Sequence, residues 1–237
     1  MPLPEPMTRS GGGIAKGEPF FLVCGYGMLA ITCAAFILRG LLRPDSLPPF
    51  TAMVTAHGVV MVAWLALFIS QATLVRTRRV LVHKRLGRLS IVLAVAVVLT
   101  GLAVTVSGFG RTGDGPTSLA NSTSILTFAV LYVLALRNRR VPIVHKRYLL
   151  LASLRMLAPA YFRLTIVLGW SGAAIPLLVV VSLIVVMTYD YRRLGRVHPA
   201  TATGSAIILA SLAVVPLGAS PIWINLMDVL AGNWPPN

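Results

Sequence analysis

Seven apolar runs, each close to twenty residues, follow one another along this chain of 237 residues. About twenty helical residues cross the ~30 Å hydrocarbon core of a bilayer. The runs occupy residues 20–38, 52–75, 90–107, 119–136, 148–169, 173–189 and 201–219. Lipid offers no partner to backbone N–H and C=O groups, so each run must satisfy them internally, as a helix does. The expected fold class is therefore all-α, an integral membrane bundle of seven transmembrane helices. Composition points the same way: 57 % of residues are hydrophobic and only 11 % charged, with a mean hydropathy of +0.83. Too few polar residues are present to cover a soluble surface. A soluble enzyme, a disordered chain and a secreted disulfide scaffold are excluded.

The net charge of +15 would suggest nucleic acid in a soluble protein. Its distribution excludes that here. Sixteen of the 21 basic residues lie before run one or in the loops after runs two, four and six, against three (Arg39, Arg43 and Arg111) on the opposite side. Such asymmetry marks cytoplasmic loops, so the expected orientation has the N-terminus in the cytoplasm and the C-terminus outside. The setting expected is a bacterial cytoplasmic (inner) membrane. Anionic lipids on its cytoplasmic face are the expected partners of the basic loops.

Residues 1–19 are polar and Pro/Gly-rich and read as a flexible cytoplasmic tail. Residues 20–219 form the transmembrane domain. Residues 220–237, with Trp223 and Trp234, read as a short interfacial tail, since Trp favours that depth. The loops reveal an internal repeat. Arg76–Arg85 reads R-T-R-R-V-L-V-H-K-R and Arg137–Arg147 reads R-N-R-R-V-P-I-V-H-K-R, one residue longer. Arg192–Pro199, R-R-L-G-R-V-H-P, is a degraded third copy. The expected bundle is one N-terminal helix plus three repeated hairpins, an arrangement with counterparts among transporters.

Three histidines, His83, His145 and His198, fall in these loops. Nearby Lys and Arg disfavour the imidazolium form, leaving rings able to ligate a metal or a haem iron. The competing reading has each ring capping the start of a helix, with Pro199 at a helix-opening position. His57 differs, standing ~8 Å inside the outer end of run two by helical rise. His57, Trp64 and Gln71 recur at spacings of seven, on one helix face. A polar ring at that depth should face the bundle interior, either to bind a ligand or to hydrogen-bond a neighbouring helix.

Run five carries Arg155 and Arg163. On the translocon scale a charge at a helix centre costs ~2.5–3.5 kcal/mol. Pro159 lies between them and should kink the helix. No acidic residue stands at any helix centre to pair with them. Each arginine either snorkels to the surface or holds an anion such as a carboxylate, phosphate or haem propionate. An outward-facing pocket is expected if runs two, four and five are neighbours, lined by His57, Arg163, Tyr161 and Asn121, with Ser122 and Ser124.

Several chemistries are absent. Cys24 and Cys33 are nine residues apart on one run and point to opposite faces. No CxxC, H-E-x-x-H or phosphate-binding Gly loop occurs. None of the three lysines lies in run seven, which excludes a retinal Schiff base. The two V-H-K-R segments, R-V-H-P-A at Arg196–Ala200 and A-H-G-V-V-M near the start of run two together resemble an uncharacterised group of bacterial multi-span membrane proteins. They are more weakly similar to small membrane proteins of haem–copper oxidase assembly. That resemblance implies His57, His83, His145 and His198 as haem or metal contacts. Three functions follow: a non-enzymatic binder of a small anionic or haem-like ligand, or assembly factor; a small-solute transporter; or a membrane enzyme on a lipid-like substrate.

Overall fold

The structure, a computed structural model, describes residues 18–46 and 51–232. The tail expected over 1–19 lies outside the described residues up to position 17, as does Trp234. Nine α-helices are described: α1 (Pro19–Leu42), α2 (Ala52–Arg76), α3 (Val80–Thr112), α4 (Gly115–Arg137), α5 (Pro142–Arg155), α6 (Ala158–Leu168), α7 (Ala174–Leu194), α8 (Pro199–Ala213) and α9 (Pro221–Gly232). Short 3-10 turns cover Pro44–Ser46 and Val215–Ala219. No strand occurs among the described residues. Seven spans are long and apolar enough to cross a membrane, with α5 and α6 together forming the fifth and α8 with its following turn the seventh. The protein is an all-α, multi-pass bundle.

Local sequence sets the helix starts. Thr51 accepts from Val54 N–H at 3.3 Å to cap α2, and Asp114 accepts from Thr117 N–H at 2.9 Å to cap α4. Pro19, Pro142 and Pro199 open α1, α5 and α8, where the missing N–H has no helical acceptor in any case. Gly113 ends α3 at φ 64°, a left-handed conformation that lets α4 start two residues later.

The three basic loops share what is called here the basic face; the other end is the far face. α3 packs beside α2 and α4, α4 beside α8, and α8 beside α7. The ring closes where Phe20 of α1 stacks on Tyr189 of α7, centroids 3.7 Å apart. α5 is enclosed within this ring. It packs on α1, α4, α7 and α8, and the α2 side reaches it where Trp64 Nε1 donates to Ser153 Oγ at 3.1 Å. More than half of the fifth span's most apolar stretch is buried (56 %), against 39 % or less in the other six. α6 then emerges between α1 and α7, with Phe162 and Leu168 exposed.

Apolar side chains face outward as well as inward. On α3, Val92, Val95, Leu99 and Leu102 form an exposed stripe that suits lipid contact. Lipid is as apolar as such side chains, so packing and polar bonds between helices must hold the spans together. Tyr132 shows both: its hydroxyl lies 2.7 Å from Ser90 Oγ, and its ring meets Trp64 edge-on at 5.7 Å between centroids.

Candidate functional site

The fifth span breaks at its midpoint. Arg155, the last residue of α5, is the central residue of the 27-residue span Pro142–Leu168. Pro159 has no N–H to offer the Arg155 carbonyl, so the α-helical ladder cannot run through. The chain bridges the gap with tight turns, Met156 N–H to Ser153 O and Leu157 N–H to Leu154 O, each 3.1 Å. Discontinuous backbone at mid-membrane is tolerated where protein encloses it, as the ring does here.

The Arg155 side chain is 1 % exposed. Its Nε donates to Ser211 Oγ of α8 at 3.1 Å, while the Ser211 hydroxyl donates to the Ile208 carbonyl at 2.6 Å. Its Nη2 is fully enclosed with no hydrogen-bond partner. A guanidinium carries five N–H donors and no acceptor. The site therefore presents a permanent cation and an unused donor in an enclosed interior.

Arg163 does not snorkel outward. Its Nη1 donates to the Pro159 carbonyl at 2.8 Å, one turn back toward the break, and its Cζ sits 3.9 Å from the centre of the Phe36 ring on α1. Across the same seam, Arg39 of α1 lies 5.8 Å from the centre of Phe162 on α6. The cation–ring contacts are thus reciprocal.

The remaining sequence candidates disperse. His57 Nδ1 lies 2.9 Å from Thr100 Oγ1 of α3. The Tyr161 hydroxyl turns to Ser182 of α7 at 2.6 Å, away from α2, and Asn121 is half-buried on α4. Trp64 and Gln71 line a small cleft with Ser90 and Leu149. The pocket expected among runs two, four and five is therefore not assembled: His57 is engaged with Thr100, Arg163 with the Pro159 carbonyl and Phe36, and Tyr161 belongs to a different interface.

The basic face holds a feature that sequence reasoning missed. Arg147, counted above among the loop cations, is 2 % exposed and grips Asp190, which is fully buried. Arg147 Nε reaches the two carboxylate oxygens at 3.0 and 3.2 Å, and Nη2 donates to Oδ1 at 2.5 Å. Asp190 also accepts from Thr201 Oγ1 at 2.5 Å and His198 N–H at 3.2 Å. One signal was present: Asp190 is the acidic residue closest to an apolar run, and Arg147, Arg155 and Arg163 recur at intervals of eight. Nearby, Glu18 accepts from Lys146 Nζ at 2.5 Å.

The three loop histidines do not form a metal centre. Among the described residues no three His, Cys, Asp or Glu side chains come together as a metal-holding group. The physical reason lies in how the rings are used. His198 caps α8, its Nδ1 accepting from Ala200 N–H at 3.1 Å. Burial and then the Arg147 charge hold its imidazole below its ordinary pKa, so the ring is neutral. His83 accepts at Nδ1 from the Gln71 amide, whose oxygen takes Gly87 N–H at 3.0 Å. Both rings then carry their proton on Nε2 and offer no lone pair there. His145 differs, donating from Nδ1 to the Ala135 carbonyl at 2.7 Å. The rings of His83 and His198 therefore do not fit the ligand set that haem or metal binding would require.

Family models, curated proteins and solved structures give no match to this chain. Its chemistry is read from the geometry alone. The two V-H-K-R segments do share a structural position: His83 is the fourth residue of α3 and His145 the fourth of α5. Each ring reaches back to the preceding helix of its hairpin. His198 stands one residue before α8, so the third copy uses its histidine differently.

Proposed function

We propose that the chain is a multi-pass protein of a bacterial cytoplasmic membrane that binds a small anion at Arg155, with the N-terminus in the cytoplasm and the far face outside. The supporting observation is the enclosed Arg155 Nη2 without a partner, at the break of the inner span. A buried charge lacking a counter-charge is strongly unfavourable, and an anion seated on Nη2 removes that penalty. The tight enclosure of Arg155 favours a monatomic or compact anion over a haem propionate, whose macrocycle would need the packed core around α5 to open. The Ser153 and Ser211 hydroxyls at the break each donate to a backbone carbonyl, so the reading is a binding site.

The test is thermal unfolding of purified protein in nanodiscs, titrated with sodium chloride, bromide, nitrate or phosphate against gluconate at constant ionic strength. A ligand that binds only the folded state at a hundred times its Kd adds ~2.7 kcal/mol. At least one anion should raise the midpoint of the wild type and leave Arg155→Leu unmoved. Equal responses of the two proteins would sink the reading.

The broken inner helix favours one second reading. Transporters place substrate at mid-membrane on such helices, so the bound anion would also cross. Chloride flux into proteoliposomes, absent in Arg155→Leu, distinguishes transport from binding alone.

A further inference from the structure

A cavity of about 370 Å³ lies at the turn between α4 and α5, on the basic face, lined by Leu136, Arg137, Arg139 and Arg140. The backbone around it is pinned. Asn138 Nδ2 donates to the Leu134 carbonyl at 2.8 Å, and Val141 N–H donates to the Asn138 carbonyl at 2.8 Å. His145 ties the start of α5 back to the Ala135 carbonyl at 2.7 Å. Pro142 fixes φ where α5 begins. A ligand entering the cavity therefore does not have to order the turn first, a cost that weakens binding to a loose loop.

The cavity is cationic and no acid answers it. Arg137, Arg139 and Arg140 are exposed and, among the described residues, their side chains have no hydrogen-bond or ion-pair partner. Glu18 and Asp190, the acids described on the basic face, are engaged elsewhere, with Lys146 and Arg147. A guanidinium offers paired N–H donors that match phosphate oxygens, and three around one cavity suit a headgroup with more than one negative charge.

The surface of α4 below the cavity favours a lipid over a soluble phosphate. Leu126, Val130 and Val133 are exposed at spacings of four and three, and Arg137 follows four residues later, so all share one helix face. Leu126 to Arg137 covers ~17 Å along the axis, about half of the ~30 Å hydrocarbon core. The face is thus apolar through the depth of one leaflet and ends at the arginine cavity. A phospholipid has the same profile, with chains along the stripe and phosphate at the turn.

We infer that the α4–α5 turn is a discrete site for one phosphate-headed anionic lipid of the basic-face leaflet. Arg137, Arg139 and Arg140 hold its headgroup, and the Leu126–Val133 stripe of α4 carries its chain. The site is independent of the anion site on Arg155. It differs from a general attraction between basic loops and anionic lipid in having a single occupant that saturates.

The test is native mass spectrometry of the full-length protein in neutral detergent micelles, titrated with dioleoyl phosphatidic acid. The wild type should take up one lipid well before any further ones. Replacing all three arginines (Arg137→Gln, Arg139→Gln and Arg140→Gln) should weaken that first binding by about a hundredfold, and each single replacement by about fivefold, the effect expected of one cation near an anionic leaflet. A control carrying Lys84→Gln, Arg85→Gln and Arg88→Gln loses the same charge from exposed positions on α3 and should bind as the wild type does. Glycerol 3-phosphate, the same headgroup without chains, should not displace the lipid at equal concentration. Equal weakening in the two triple variants would leave only diffuse charge and overturn the inference, as would the lack of a saturable first lipid. Displacement by glycerol 3-phosphate as effective as by the lipid would make the turn a soluble-phosphate site and overturn its assignment to lipid. The single replacements carry the same comparison if a triple variant does not fold.

Discussion

At the scale of single residues, two of the buried arginines stand in opposite circumstances. Arg147 is matched: Asp190 receives hydrogen bonds from its guanidinium, from Thr201 and from the His198 backbone. Removing one partner of such a pair strands the other charge, which costs ~3–5 kcal/mol. Asp190→Asn should therefore lower the unfolding midpoint sharply in thermal melts, while Arg147→Met combined with Asp190→Leu should recover much of the loss. Arg155 is unmatched, so in gluconate Arg155→Leu should melt no lower than the wild type. Two groups outside the spans make stability depend on pH. Burial and neighbouring cations hold the His198 imidazole below its ordinary value. Burial alone would raise the Glu18 carboxyl, but Lys146 and Tyr189, with a smaller contribution from Arg147, outweigh it and hold it below the usual carboxylate range. In both cases the unfolded chain takes up its proton at higher pH than the folded one. Their stabilisation is thus complete above the unfolded values and lost as pH falls, first below ~6.5 for His198 and then below ~4.3 for Glu18. Melts from pH 8 to pH 4 should show a two-stage decline, and Glu18→Gln should remove the lower stage.

At the scale of elements, the close contacts are those where a side chain would not fit. The Val215–Ala219 turn passes against the start of α4 with backbone touching backbone: a methyl on Gly218 would lie 2.6 Å from the Gly115 carbonyl oxygen and from Pro116 Cα. Rigid backbone on both sides leaves little room to yield. Gly218→Ala should destabilise by ~1–3 kcal/mol, the usual range for overpacking, read as a lowered midpoint in nanodiscs. The same contact seats α9 on α3 and α4, where Trp223 Nε1 donates to Ser118 Oγ at 2.9 Å. Ile222, Leu226, Val229 and Leu230 remain exposed on the other side of α9, a face suited to the membrane interface. The break in the fifth span belongs to this scale too. Pro159→Ala restores the missing donor, so it should extend α5 toward α6, displace the Arg155 guanidinium and weaken the anion-induced shift in midpoint.

At the scale of the whole molecule, charge is sorted by face. Reporter fusions in the loop at Asp114 should read as periplasmic and those near Lys84 and Lys146 as cytoplasmic, following the positive-inside bias. The opposite pattern would overturn the orientation proposed for the chain. With Arg147 withdrawn into its ion pair, thirteen cations remain in the three basic loops. Each cation near an anionic leaflet contributes ~1 kcal/mol. Nanodiscs of anionic lipid should therefore raise the melting midpoint over neutral ones, and equal midpoints would leave those cations as orientation signals alone.

The span count, the hairpin order, the break at Pro159 and the candidacy of Arg155 were all legible in the sequence, because each rests on local physics: hydrophobic length, backbone satisfaction and a missing N–H. The helix ends were less so. Lys84, Arg85 and Arg88 bound the apolar run at residue 90, yet α3 begins at Val80, since a helix keeps its hydrogen bonds beyond the bilayer whatever its side chains. Helix order was not legible, because seven apolar runs are nearly interchangeable as lipid-facing surfaces. Only the packed bundle places the fifth span inside, brings Asp190 to Arg147, turns Tyr161 to α7 and sends the histidines to separate partners. Those outcomes depend on which helices are neighbours, and in lipid that choice is made by close packing and a few polar contacts between residues far apart in the chain.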